Sequence, residues 1–367
     1  MWMVVSQRDA ARSSITRSPA TRTRAHDVRA FILSNVEKHP TDVSTVAAAH
    51  FGISRQAVNK HLKKLVLEQA LNPAGKTRNR SYRLAALPEW TRLFKIVPGR
   101  EEDQAWTQAV APALGSLPQN VHDIWHFCFT EMFNNAIDHS NGSEILITLR
   151  RTALNTEMML EDNGVGIFRK IQAAMNLADE RHAILELAKG KLTTDPEKHT
   201  GQGIFFTSRL LDPFDILSGG VFFTHNYDSH EDWIIERPQA SPGTTIFMKL
   251  DNHTSRTCKS IFDQYSSGSD YAFTKTVVPV KLAQYGEDKL ISRSQAKRLL
   301  VRVELFKSVV FDFEGVEAIG QAFADEIFRV FARRHPEVEL IPIHAKAQIQ
   351  GMIRTALSGG GLEGGGV

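Results

Sequence analysis

Cysteine is scarce in this chain: Cys128 and Cys258 are the two it has, and they show no CxxC spacing. That removes a cysteine framework from consideration and predicts a protein of a reducing cytoplasm. Long hydrophobic runs are also missing. No apolar stretch approaches the length of a membrane span, so no membrane partner is expected. His122, His126 and His139 fall near one another, yet they lack an i,i+4 ligand arrangement with a third partner, which argues against a metal held by histidines. What is plentiful is core-forming material. With 42% hydrophobic residues in 367, two or three domains with real cores are expected.

A net charge of +3 conceals a strong asymmetry. Residues 1–84 hold 15 Lys and Arg against 5 Asp and Glu, while the remainder holds 29 against 36. A basic front end on an acidic body points to a polyanion bound near the N-terminus. Residues 1–25 are rich in Arg, Ser and Thr, and predict a disordered basic arm, although a transit peptide shares that composition.

From His26 the pattern turns helical. Val28, Phe31, Ile32 and Val36 share a face until Pro40, and a second helix is predicted over about Asp42–His50. Phe51-Gly52-Ile53 makes a tight turn, and Ser54 is a natural cap for a third helix that buries Val58, Leu62 and Leu65. The opposite face of that helix carries Arg55, Gln56, Asn59, Lys60 and Lys63. Two short strands around a basic tip follow, with Arg78 and Arg80 on it. Residues 26–85 thereby resemble the winged helix-turn-helix of bacterial transcription regulators. The resemblance implies double-stranded DNA as partner, with Arg55, Gln56 and Asn59 facing base edges, Lys60 and Lys63 beside them, and Arg78 and Arg80 on phosphates. A winged helix used only to dock protein remains open. Residues 86–117, with Pro88, Pro98 and Pro112, read as a linker or packing helix.

The run Glu131-Met-Phe-Asn-Asn135-Ala-Ile-Asp138 puts two carboxylates and an amide in a narrow helical arc, opposite Trp125, Phe129 and Phe133. The amide oxygen of Asn135 can ligate Mg²⁺, and Glu131 can polarise a hydroxyl or water. A strand over Thr156–Glu161 would deliver Asp162 to its carboxyl end, where an acidic oxygen can accept from an exocyclic amine. Gly164 and Gly166 would let backbone approach a nucleotide. Gly201-Gln-Gly203 opens a predicted helix whose N–H groups can hold phosphate, and Gly243-Thr244-Thr245 opens a predicted strand with two hydroxyls. Taken alone, Asp162-Asn163-Gly164 is an ordinary turn. The ordered set ExxxNAxD, DNGVGI, GxG and GTT resembles the nucleotide-binding boxes of the GHKL ATPases and kinases, most closely in its anti-sigma-factor kinase version. The resemblance covers about residues 101–250, with the domain itself at 118–251. It implies an α/β sandwich binding ATP and Mg²⁺, with Asp162 on adenine, Asn135 on the metal, Asp138 beside it, Glu131 as base or polariser, and 168–200 as a lid. Lys198 and His199 in that lid would touch the γ-phosphate or remain solvated charges.

Beyond residue 251, strands at Val277–Leu282, Ser308–Phe313 and Val338–Ile343 alternate with predicted helices at Ser292–Leu305, Ala318–His335 and Ala345–Leu357. This predicts a small α/β domain over 252–357, followed by a disordered Gly-rich tail at 358–367. The segment VVFDFEGVEAIGQAFADEI resembles STAS-like domains, the fold of anti-sigma-factor antagonists. Where some antagonists open a helix with a phosphorylatable Ser, this chain has Gly320-Gln321-Ala322, so the phospho-switch is not expected. The whole therefore predicts an α/β multidomain chain: a mainly α winged helix, a GHKL α/β sandwich and a STAS-like α/β domain. Its expected role is a cytoplasmic, ATP-binding transcription regulator. The alternatives are a protein serine kinase acting on a separate protein partner and, less favoured, a histidine kinase. A homodimer through the last two modules is also open.

Overall fold

Only in the tertiary arrangement do the predicted elements acquire neighbours. The computed structural model describes residues 19–76, 79–97, 102–192, 201–227, 232–267, 272–284 and 289–358. Chain contacts divide it into one unit of residues up to Ala86 together with Thr152–Leu154, and a second made of Leu87–Arg151 and the chain from Asn155 onward.

The first unit is three helices and a hairpin: α1 (Pro19–Asn35), α2 (Val43–Phe51), α3 (Arg55–Leu67), β1 (Leu71–Ala74) and β2 (Ser81–Leu84). Helix α1 starts well before the expected His26, inside the segment read as a disordered arm. Proline is well suited to a first helical turn, and no breaker separates Pro19 from His26. Residues 1–18 lie outside the described residues, as do 359–367 of the expected tail. Gly52 closes α2 in the left-handed region (φ 61), and the Ser54 hydroxyl accepts the Ala57 N–H at 3.2 Å to start α3. Val28, Ile32, Val43, Val58, Leu62 and Leu65 make the core between the helices. The hairpin pairs Leu71 with Leu84 in antiparallel register.

The second unit opens with β3 (Trp90–Lys95) and a helical stretch of α4 (Glu102–Ala105) and α5 (Ala111–Leu114), joined by a wider turn. Strand β3 corrects the expectation of a linker there. It is an edge strand with one deeply buried residue, Phe94, so its sequence lacks the alternation that marks a half-buried strand. Next come α6 (Gln119–His139), β4 (Glu144–Arg151), β5 (Asn155–Asp162), α7 (Ile167–Met175), α8 (Glu180–Lys189), α9 (Gly203–Leu210), β6 (Pro213–Asn226) and β7 (Asp232–Asp251). The strands form a five-stranded sheet in the order β3-β4-β5-β7-β6, antiparallel throughout. The residues Gly243-Thr244-Thr245, expected to open a strand, lie inside β7 instead.

The chain continues through α10 (Cys258–Tyr265), the short pair β8 (Ser266–Ser267) and β9 (Ala272–Phe273), then β10 (Lys275–Pro279), α11 (Arg293–Leu300), β11 (Ser308–Asp312), α12 (Gln321–Asp325), α13 (Ala332–Arg334), β12 (Glu339–Ile343) and α14 (Ala347–Ser358). Strands β10, β11 and β12 form a parallel three-stranded sheet. This C-terminal α/β segment shares one hydrophobic core with the five-stranded sheet. Phe273 joins them, 4.7 Å from Phe205 and 5.3 Å from Phe306, ring centre to ring centre. Among the described residues no helix is long and apolar enough to cross a membrane.

A buried ion pair lies inside this shared core. Lys189, 0% exposed, sits 2.7 Å from Glu186. Burial pulls its ammonium down to about 8, with Glu186 opposing the shift. Its folded value lies below its ordinary 10.5, so the buried cation penalises folding below pH 8, and the penalty fades between 8 and 10.5. Wild type should therefore gain stability relative to Lys189→Met over that window. Urea unfolding at its two ends reads the difference, and an unchanged gap would contradict the assignment.

Candidate functional site

Helix α6 carries the site because its other face is locked. Trp125, Phe129 and Phe133 are fully buried. Phe133 stacks on Phe129 at 5.0 Å and meets Phe94 of β3 edge-on at 5.5 Å. Each such aromatic contributes about 1.5–3 kcal/mol by burial. Locking that face aims Glu131, Asn134 and Asn135 into a cavity of about 370 Å³. From the sheet, Asp162 and Thr244 enter the same cavity, and their strands set them directly opposite each other.

Asp162 is the most constrained group there. Its Oδ1 accepts the Gly164 N–H at 2.9 Å. The backbone N–H and the hydroxyl of Thr244 also donate to its carboxylate. The Thr244 oxygen in turn accepts the Ile167 N–H at 3.0 Å, which anchors the first turn of α7. Burial nevertheless raises the Asp162 carboxyl above its ordinary value, against the lowering effect of those three donors. A half-buried carboxylate oriented by fixed donors is suited to accepting one more hydrogen bond from a ligand.

Gly203 opens α9 directly beside Glu131, and a Cβ on it would overlap the Glu131 carboxylate. Gly164 is equally required by space, since a Cβ there would strike the Ser140 carbonyl. Gly201 lines the cavity, and its carbonyl accepts the Leu192 N–H at 3.1 Å, so the residues flanking segment 193–200 are hydrogen-bonded to each other. That segment, with Lys198 and His199, lies outside the described residues.

Other expected residues are placed elsewhere. Gly164 and Gly166 shape the turn between β5 and α7 without lining the cavity. Asp138 is exposed at the end of α6, where its charge acts on Lys170. Thr245 also stays out of the cavity: Thr244 and Ile246 line it, so the residue between them faces the other side of the sheet.

The cavity also holds residues that motif reading passed over. Lys170, on the first turn of α7, donates to the His139 carbonyl at 2.6 Å, and burial lowers its ammonium. Its spacing from Ile167, one helical turn, is the signal that could have found it. Leu187 of α8 and Leu192 complete the wall. A second cleft of about 500 Å³ shares Glu131 and Gly203 with the first and is floored by Phe127, Phe206 and Phe262.

In the first unit, Arg55, Gln56, Asn59, Lys60 and Lys63 are all exposed on α3. Arg80 is exposed too, its guanidinium 5.4 Å from the Tyr82 ring centre. Arg78 lies outside the described residues.

At the C-terminal segment, Gly320 precedes α12, and its N–H donates to the Leu290 carbonyl at 2.8 Å. A Cβ at Gly320 would come within 2.8 Å of the Ile291 Cα, so a serine does not fit there.

The family model for a STAS-like domain of unknown function (DUF4325) matches residues 295–350, from α11 into α14. The C-terminal segment is thus a STAS-like domain. No curated protein matches the chain significantly.

The packing of Gly203 on Glu131 is directly testable. Gly203→Ala should cost about 1–3 kcal/mol by overpacking, and adding Glu131→Ala should return most of that cost. Denaturant unfolding of the single and double variants measures the coupling, and simple additivity would refute the close approach.

Proposed function

We propose that this protein is a cytoplasmic, ATP-binding transcription regulator. In this reading a GHKL-type module binds Mg-ATP and controls a winged-helix DNA-binding unit, with the STAS-like domain packed against the nucleotide module. The observation that carries it is the convergence on one cavity of Asp162 with its three donors, the Glu131–Asn135 face of α6, and the glycine-opened N-terminus of α9. Asp162 would accept the exocyclic amine of adenine. Asn135 would ligate Mg²⁺ through its amide oxygen, and the metal would neutralise phosphate charge. Gly201 and the first N–H groups of α9 would hold phosphate oxygens. Glu131 would orient a water or hydroxyl toward the terminal phosphate. The basic, exposed face of α3 and the exposed Arg80 support double-stranded DNA as the partner of the first unit.

A serine kinase acting on a separate protein is the second reading. Its specific support is the second cleft, which is lined by Glu131 but not by Asp162 and offers a phosphoryl acceptor a route to that carboxylate. The occluded Gly320 supports an acceptor outside this chain's own STAS-like domain. In the regulator reading, ATP alters DNA occupancy through contacts that differ between nucleotide-bound and free states.

Titration with Mg-ATP tests the pocket: wild type should saturate, and Asp162→Asn should lose at least tenfold in affinity. Asn135→Ala should abolish the Mg²⁺ dependence. Since Asp162 must be ionised to accept from adenine and burial raises its carboxyl, affinity should fall on acidification while the pH is still above the ordinary carboxylate value. Equal affinity of wild type and Asp162→Asn would remove the nucleotide reading.

DNA binding should weaken steeply with salt. Where Lys60 or Lys63 neutralises a phosphate, its replacement by Ala should reduce the slope of log affinity against log salt by about 0.9. A salt-independent association measured by fluorescence anisotropy would favour protein docking by this unit.

A further inference from the structure

Helix α8 has two faces with different owners. On one side Leu187, and Leu192 just beyond the helix, line the cavity. On the other, the helix and the turn that follows it are tied to the STAS-like domain and the strand that leads into it. The Lys189 ammonium donates to the Val301 carbonyl at 2.8 Å and to the Arg298 carbonyl at 3.3 Å, where the last turn of α11 leaves carbonyls without helical partners. The Thr276 hydroxyl of β10 donates to the Lys189 carbonyl at 2.6 Å. Arg302 pairs with Glu186 at 3.2 Å and donates to the carbonyls of Gly190 and Lys191. The Lys191 ammonium reaches back the other way, donating to the Leu305 carbonyl at 2.7 Å.

The backbone of this seam is held in uncommon conformations from both sides. Lys191 (φ 51) and Arg302 (φ 63) are both left-handed without being glycine. Such residues cost free energy and persist where their surroundings over-determine them. Buried charges are also a poor source of stability, since well-packed apolar groups of the same volume serve as well or better. Their directional bonds do fix a register. The register fixed here is that of the turn at Gly190–Leu192, where the chain leaves α8 and Leu192 lines the cavity.

We propose that the STAS-like domain sets nucleotide affinity from within the chain, by holding this turn through Lys189 and Arg302. The inference rests on the nucleotide reading of the cavity and names its regulation. Lys189 and Arg302 are positioning residues: they touch no ligand and act through Leu187, Leu192 and Gly201. Any event that shifts α11 or residues 301–305 releases the turn and slackens one wall of the pocket. Linkage makes the effect reciprocal, so nucleotide must in turn stabilise the seam.

The test uses the full chain. Arg302→Gly deletes the guanidinium while favouring the left-handed backbone that position requires. Lys346→Ala breaks an exposed pair with Glu317 elsewhere in the same domain and serves as control. Mg-ATP titrations should show Arg302→Gly weakened at least fivefold and within the span of about 5–150-fold usual for coupled sites, with Lys346→Ala unchanged. Hydrogen exchange on wild type should slow at residues 298–305 when Mg-ATP is added, a response that mere packing would not give. Equal affinity of folded Arg302→Gly and wild type would overturn the coupling and leave the nucleotide site standing, as would unchanged exchange at 298–305 in a wild type that binds Mg-ATP. Should Arg302→Gly fail to fold, that exchange measurement decides alone. Failure of wild type to bind Mg-ATP would bring down the nucleotide reading and the coupling together.

Discussion

Everything at the cavity depends on the burial of one face of α6. The fully buried rings of Trp125, Phe129 and Phe133 allow that helix a single orientation against the sheet, because turning it would expose large apolar surface. Glu131 and Asn135 are aimed into the cavity by this constraint. Both side chains are left facing the cavity, which is what a ligand or metal requires of them.

The second constraint is the antiparallel pairing of β5 with β7. It brings Asp162 opposite Thr244, and the Thr244 hydroxyl then links the carboxylate to the Ile167 N–H. Sheet, carboxylate and α7 become one connected unit. A consequence is that Lys170, one turn along α7, is carried to the same cavity. The polar end of the cavity is therefore organised by strand register, and the opposite wall by α8 and its neighbours in the STAS-like domain. The two are built differently: hydrogen bonds from regular structure on one side, a buried charge cluster on the other.

Local chemistry explains which features were legible. The amphipathic spacing of α6, the Ser54 cap and the alternating strands of the C-terminal domain depend on residues a few positions apart, and the structure puts these elements close to where the spacing predicts them. Strand β3 was not legible, because an edge strand exposes most of its side chains and loses its periodicity. Thr244 and Thr245 look alike in sequence, yet a one-residue step along a strand reverses the face, and only pairing with β5 decides which one enters the cavity. The cluster of Glu186, Lys189 and Arg302 joins α8 to the end of α11, and nothing in either segment's own pattern announces the other.

The sequence by itself determined the apolar faces, the caps and turns, the order of the glycine and carboxylate motifs, and the concentration of positive charge at the front of the chain. These follow from side-chain size, polarity and backbone freedom at neighbouring positions. The tertiary structure alone decided which residues share the cavity, that Glu131 stands between two clefts, and that the STAS-like domain grips the helix beside the cavity. Those are contacts between distant segments, set by strand register and by burial of a common core, and no local pattern encodes them.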